Sequence, residues 1–244
     1  MRIIDCNVSI GGRSSRGTLI GAETLIRELD DHRIDHAVCW HQVAKSDPKE
    51  GNTLMREAAK ASGGRLGVSA VLDPVLGAES LPGSGTLSER IEALEPESLH
   101  IFPDNNRTVF HPFYWEEILE TADDLAMPLV IDCDYQPEFF LELPEISRQY
   151  PRVKFVLVRY GLCRSRHIFP LLEKRDNIYF TAEHMLDHLQ IEEICERGQG
   201  KKLLFGSSFP QLPFTGALGL VLWAEITEKE REDILWRSWE EIRR

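Results

Sequence analysis

Residues 129–161 read LVIDCDYQPEFFLELPEISRQYPRVKFVLVRYG, and this stretch decides the fold. It opens with a β-branched apolar run, Leu129–Tyr135, and closes with another, Phe155–Gly161. Each run is short and apolar enough to be a strand buried on both faces. Between them Phe139–Tyr150 carries apolar residues at helical spacing. Strand, helix, strand within about thirty residues is the unit of a parallel sheet.

The same unit recurs outward in both directions. Upstream lie strand candidates at Ile3–Ser9, His36–Gln42, Leu66–Asp73 and Ser98–Asp104, and downstream at Ile178–His184 and Leu203–Phe209. One-face apolar spacing marks the intervening helices, at Leu25, Ile26 and Leu29, at Leu54, Ala58 and Ala61, at Leu87, Ile91 and Leu94, and at Ile118, Leu119, Ala122 and Leu125. Others follow at His167–Lys174, Leu189–Arg197 and Glu228–Arg243, the last opened by a Thr227/Glu230 capping box. Eight alternations predict a parallel sheet closed into a (β/α)₈ TIM barrel, α/β in class, as a single domain over residues 1–244. A doubly wound open sheet is the alternative, and it usually needs fewer strands. The Pro82–Gly85 stretch reads as a loop before a helix.

Composition bounds the function. Forty acidic against 28 basic residues give a formal charge of −12. That balance argues against nucleic acid or an anionic membrane as a partner, and leaves a small-molecule ligand open. Five cysteines without CxxC spacing read as reduced thiols in a cytoplasmic protein. No apolar run approaches a membrane span, and the amino-terminal residues read as a strand, not a signal peptide.

A TIM barrel places its active site at the carboxyl ends of its strands. Polar residues there are Asn7, Ser9, His41, His100, Asp132, Asp134, Arg159, Glu183, His184, Ser207 and Ser208. Burying such groups unpaired is costly, so they serve either a ligand or a closed hydrogen-bond network.

These segments also resemble the amidohydrolase-related branch of the amidohydrolase superfamily, nearly end to end. IIDCNVSIGG (3–12) stands where that family has Ile-Asp-x-His-x-His-x-Gly. GVSAVLDP, HPFYWEEILETADDLAMPLVIDCD, FVLVRYG and NIYF follow in order. LLFGSSFP resembles the family's Phe-Gly-Ser-Asp-x-Pro, and EKEREDILWRSWEEI its terminal helix. The resemblance implies a TIM-barrel hydrolase binding one divalent metal, often zinc, and commonly a homodimer. The usual ligands, two His on strand 1, a His on strand 5 or 6 and an Asp on strand 8, fall here on Asn7 and Ser9, on Asp132 and Arg159, and on Ser208. An amide, hydroxyls and a permanently charged guanidinium are poor metal ligands, so the expectation is of no cofactor.

Asp132 and Arg159 then read either as an ion pair, or as a general base with an anion clamp. Asn7 and Ser9 point the same way from one strand, as polar filler or as ligand-holding groups. His41, His100 and His184 each end a strand, packed in the core or turned to a ligand; either Glu183 or His184 faces the mouth. FGSSFP lacks the G-x-S-x-G elbow of a serine hydrolase. Cys133 should point into the helix layer, Gly206 should relieve crowding inside the barrel, and Trp236 and Trp239 should pack on the barrel or a neighbouring subunit.

Three functions remain open. The first is a metal-independent hydrolase or lactonase for a small anionic substrate, with Asp132 and Arg159 catalytic and Asn7, Ser9, His41, His100, Asp134, Glu183, His184 and Ser208 binding. The second is a pseudoenzyme that holds a small ligand or partners an active relative. The third is a rearranged metal site drawn from His41, His100, Asp132 or Asp134, and His184.

Overall fold

A computed structural model of the chain describes residues 1–134 and 138–243. Tyr135, the last residue of the fifth strand expected from sequence, lies outside the described residues.

Among the described residues, eight parallel strands follow one another around a barrel in chain order. They are β1 (Ile4–Ile10), β2 (His36–His41), β3 (Leu66–Val71), β4 (Ser98–Ile101), β5 (Pro128–Asp132), β6 (Lys154–Val158), β7 (Ile178–Thr181) and β8 (Leu203–Leu204). The outer layer holds α1 (Ala22–Asp31), α2 (Pro48–Ala61), α3 (Leu87–Leu94), α4 (Pro112–Asp124), α5 (Phe139–Gln149), α6 (Ser165–Lys174), α7 (Gln190–Glu196) and α8 (Phe214–Leu222). The carboxyl-terminal stretch is α9 (Glu228–Glu232), a π-helical turn (Asp233–Arg237) and α10 (Ser238–Ile242). Thr227 caps α9 with the reciprocal Glu230 bond that the sequence indicated.

The sheet closes through segments that are only partly regular. β8 ends at Leu204, yet residues 205–209 keep running beside β1. Cys6 N–H donates to the Phe205 carbonyl at 2.9 Å, Ser208 N–H to that of Asn7 at 3.0 Å, and Ser9 N–H to that of Phe209 at 2.8 Å. A register shift between Asp5 and Val8 marks a bulge in β1 at this seam. Bulges re-aim side chains at barrel rims. Gly206 sits here because a Cβ would stand 2.6 Å from Thr181 Cγ2, so only a bare backbone fits.

Alternation sorts the strand residues into two cores. Outward residues such as Val8, Cys39, Leu99, Ile131, Cys133, Leu157 and Phe180 pack under the helices. Inward residues Ile4, Cys6, Val38, Val130, Val156, Val158 and Leu204 fill the barrel base together with Trp239 and Ile242. Trp239 therefore plugs the bottom of the barrel, with its indole N–H 3.4 Å from Glu97 Oε2. Glu97 also receives His36 Nε2 and Arg243 Nη1, each at 2.6 Å.

Two elements escaped the sequence reading. One is the short hairpin of Gly12–Arg13 with Leu19–Ile20, two residues a side and too brief for any period. The other is α8, FTGALGLVL, which is apolar on nearly every side and so shows no helical stripe. Among the described residues no helix is long and apolar enough to cross a membrane.

Candidate functional site

Strand ends deliver the mouth. Asp132 is the last residue of β5 and is buried; Arg159 follows the last residue of β6. Arg159 and Ser208 both have left-handed backbones, at φ +52° and +57°. That conformation is unfavourable for a residue bearing a Cβ, and here it turns the chain at the barrel rim. From there Arg159 Nε donates to Asp132 Oδ1 at 2.9 Å and Nη1 to Gln211 Oε1 at 2.9 Å, and Nη2 meets Asp134 Oδ1. The ion pair read from the sequence is thus formed, with Asp134 as a second carboxylate.

Beside it runs a chain of hydrogen bonds. Asn7 Nδ2 donates to Ser208 Oγ at 3.0 Å, and Ser208 Oγ donates to Glu183 Oε1 at 3.2 Å. Gln42 Nε2 donates to Ser9 Oγ at 2.9 Å. The central space between Asn7, Ser9, Asp132, Arg159 and Ser208 is about 10 Å³. A water needs about 10–15 Å³, so these side chains fill the axis of the mouth themselves.

A larger space of about 80 Å³ opens to one side, lined by Lys45, Phe102, Asp104, Asn105, Asp132, Asp134 and Arg159. The Lys45 ammonium lies 5.2 Å from the Trp40 ring centre and 4.5 Å from that of Phe102, within cation–π range. Burial pulls the Lys45 ammonium below its ordinary pKa, with Asp132 opposing the shift. Burial likewise raises the Asp132 carboxyl, and the opposing pull of Arg159 and Lys45 does not cancel it.

The histidines part company. His100 lies inside the barrel, stacked 4.4 Å from Phe102 and edge-on to Trp40, with Nδ1 3.4 Å from Ser69 Oγ. Burial, with Lys45 and Arg159 nearby, holds it well below the ordinary imidazole value, so it is neutral. His41 packs over Gly11, where any Cβ would come within 2.4 Å of its ring, and its Nδ1 accepts from Val43 N–H at 3.3 Å. Neither lines the spaces around Asp132. His184 lies in a 3₁₀ turn after β7, edge-on to Tyr160 and 3.4 Å from Glu183 Oε1. The sequence left Glu183 and His184 as alternatives; both are buried, and Glu183 is the one bonded to Ser208.

The residues offered for a rearranged metal site, His41, His100, Asp132 or Asp134, and His184, do not come together as one cluster among the described residues. Among the described residues no three His, Cys, Asp or Glu side chains are grouped to hold a cation. The strand-end positions singled out from the sequence carry an amide (Asn7), two hydroxyls (Ser9, Ser208), one carboxylate (Asp132) and a guanidinium (Arg159) already bound to Asp132 and Asp134. This donor set does not fit a divalent metal.

Sequence reasoning missed Gln42, Lys45 and Gln211. Lys45 sits in a 3₁₀ turn after β2 and Gln211 in the loop after β8, where no pattern indicates side-chain direction. Asp5 was passed over as part of a motif. It is fully buried and accepts from the N–H groups of Asn7 and Ser207 at 3.0 Å each. Burial pushes its carboxyl up from 3.8 to about 7.

No protein-family model matches the chain. No curated protein matches it either. Solved structures do. A probable 2-pyrone-4,6-dicarboxylic acid hydrolase from Acinetobacter baumannii, with citric acid bound, superposes with TM-score 0.73 at 15% identity over 100% of this chain and 99% of its own. An uncharacterized TIM-barrel protein from Bordetella bronchiseptica gives 0.77 at 14%, covering 99% and 98%. The 5-carboxyvanillate decarboxylase of Sphingomonas paucimobilis gives 0.69 at 14%, also covering 99% and 98%. The chain is a TIM barrel. At these identities the likeness establishes the fold of the barrel, and what its mouth does rests on its own residues.

Proposed function

We propose that this TIM barrel derives from the amidohydrolase-related proteins, has given up metal-activated hydrolysis, and binds a small carboxylated molecule as a metal-free pseudoenzyme. The observation that carries the proposal is the Arg159 guanidinium, which takes up the Asp132 and Asp134 carboxylates where relatives would place a metal ion. Asn7, Ser208 and Glu183 form a hydrogen-bonded plug that leaves no room on the axis for a substrate. The side cavity sets two cations, Lys45 and Arg159, among the carboxylates of Asp104, Asp132 and Asp134, and at about 80 Å³ has room for one acid group. A planar guanidinium suits such a group because it can bond both oxygens. The A. baumannii neighbour with citric acid bound is consistent with this choice of ligand. Five free thiols, four of them buried, suit a single-domain protein of the reducing cytoplasm.

A second reading is favoured by one observation, the raised pKa of Asp132. With Asp132 as general base, a water attacks a lactone carbonyl, the new C–O bond forms and the ring C–O bond breaks. The proton passes through Asp132 to the leaving alkoxide, and Arg159 steadies the oxyanion. This requires Arg159 to release Asp132 when substrate arrives.

The experiment is metal content after growth with added zinc and manganese and purification without a chelating column. Near-stoichiometric metal overturns both readings. Metal far below one equivalent supports them, and citrate titration with a lactone panel then separates them. Citrate binding that weakens at least tenfold in Arg159→Gln, without turnover, supports the pseudoenzyme. Lactone turnover that Asp132→Asn abolishes supports the enzyme.

A further inference from the structure

Lys45 shares the side cavity with Asp132 and Arg159, yet among the described residues its ammonium has no carboxylate in ion-pair contact and no hydrogen bond. Only the ring faces of Trp40 and Phe102 hold it, 5.2 and 4.5 Å away. Its backbone is pinned, because the Lys45 carbonyl accepts from Asn105 Nδ2 at 2.7 Å. A half-buried amine without a counter-ion gives up its proton more readily than one in water, and the neutral amine is a nucleophile. The groups around it suit that chemistry. Both hydrogen bonds on Asp132, from Arg159 Nε and from Asp134 N–H, end on Oδ1, which leaves Oδ2 to exchange a proton. The remaining Arg159 contacts face solvent: Gln211 is exposed, and the Asp134 side chain is 36% exposed.

We propose that Lys45 forms a reversible imine with a small 2-oxo acid whose carboxylate sits on Arg159, an inference that rests on the carboxylate site proposed above. The incoming carboxylate takes Nη1 and Nη2 from Gln211 and Asp134, while Nε keeps Asp132. In a 2-oxo acid the carbonyl is bonded directly to the acid group, which suits a cavity of about 80 Å³ with one cation for each. The Lys45 ammonium first gives a proton to Asp132. The neutral amine then forms a C–N bond to the carbonyl carbon, and one N–H proton moves to the carbonyl oxygen, giving a carbinolamine. The nitrogen lone pair expels the hydroxyl, the C–O bond breaks, and Asp132 returns its proton so that water leaves. The iminium that remains carries the same single positive charge, over the same two rings. The step needs no oxidant or reductant, and addition of water reverses it.

The test uses the intact protein with glyoxylate and, separately, with propanal, each with cyanoborohydride, which reduces an imine to a stable secondary amine. Peptide mass mapping reads the label at every lysine, and the exposed Lys60 is the internal reference. With glyoxylate, Lys45 should label at least tenfold faster than Lys60; with propanal that advantage should be at least tenfold smaller. Arg159→Gln should bring the glyoxylate advantage down to the propanal level. Unfolding the native protein in urea should equalise Lys45 and Lys60, and a preference that survives urea would overturn the proposal. So would labelling of Lys45 no faster than Lys60 with either compound. Glyoxylate binding seen by calorimetry in that case keeps the carboxylate site and removes only the imine. Fast labelling of Lys45 by glyoxylate and propanal alike does the reverse: the imine stands, and the acid preference falls together with the carboxylate site.

Discussion

Arg159 and Asp132, 27 residues apart in sequence, meet across the β5–β6 seam with Nε 2.9 Å from Oδ1. Asp132 is nearly sealed from solvent, its side chain 5% exposed. Burial opposes its ionisation and the guanidinium favours it, so each group depends on the other. Removing one partner strands a buried charge, which costs about 3–5 kcal/mol. Arg159→Met should therefore lower stability by about 3 kcal/mol in urea denaturation at pH 7, with Lys45 supplying partial compensation. Asp132→Asn combined with Arg159→Met should recover most of that loss. Equal losses in the single and double variants would remove the pair from any account of the fold.

Asp5 sets a pH dependence of the opposite sign to a paired carboxylate. Its pKa is 3.8 in ordinary surroundings and about 7 in the barrel. Below about pH 4 the group is protonated in both states and costs nothing. Between pH 4 and 7 the unfolded chain releases a proton that the barrel keeps, so stability falls as pH rises, levelling off above 7. Thermal midpoints of the native protein and Asp5→Asn should converge near pH 4.5. At pH 8 the variant should be the more stable. Parallel curves from pH 4.5 to 8 would refute the shift.

At the barrel base, a Cβ on Gly67 would lie 2.2 Å from Glu97 Oε1. Gly67→Ala must push that carboxylate off His36 and Arg243, and is expected to cost about 1–3 kcal/mol. Glu97→Ala has a cost of its own, but the double variant should be less than additive because the clash is gone. A double-mutant cycle by chemical denaturation measures this coupling, and strict additivity would contradict it.

Trp239 is 1% exposed and fills the base among Ile4, Val38 and Val156. Trp239→Ala should destabilise by about 3–5 kcal/mol through the cavity it leaves. Trp223, 86% exposed, provides the control: Trp223→Ala should change the unfolding midpoint little.

Much of this fold was legible because parallel strands buried on both faces are written as dense apolar runs. LVID at β5 and FVLV at β6 are visible without any partner. The eighth strand was legible as Leu203–Phe209, but its regular pairing stops at Leu204 and single bonds to β1 continue the wall. The meeting of Asp132 with Arg159 followed from adjacent strands of equal level. The direction of His41 did not, because the chain turns into a 3₁₀ helix one residue later and period-2 alternation ends there. Glu183 and His184 lie in such a turn too, which is how both came to be buried. Lys45 reaches the mouth over two aromatic rings supplied by β2 and the residue after β4, a relationship between distant segments that no local pattern encodes.

The seam between β1 and residues 205–209 joins the earliest strand to the latest one made. While the chain is being synthesised from its amino end, β1 through β7 can pair side by side, but the rim bonds of Cys6, Asn7 and Ser9 have no counterpart until Phe205–Phe209 has emerged. Until then the nascent sheet carries an open edge, the kind of surface that recruits strands from other molecules. The hazard of this architecture lasts until that segment has been made, and slowing initiation, which spaces ribosomes along the message, should favour soluble protein over inclusion bodies.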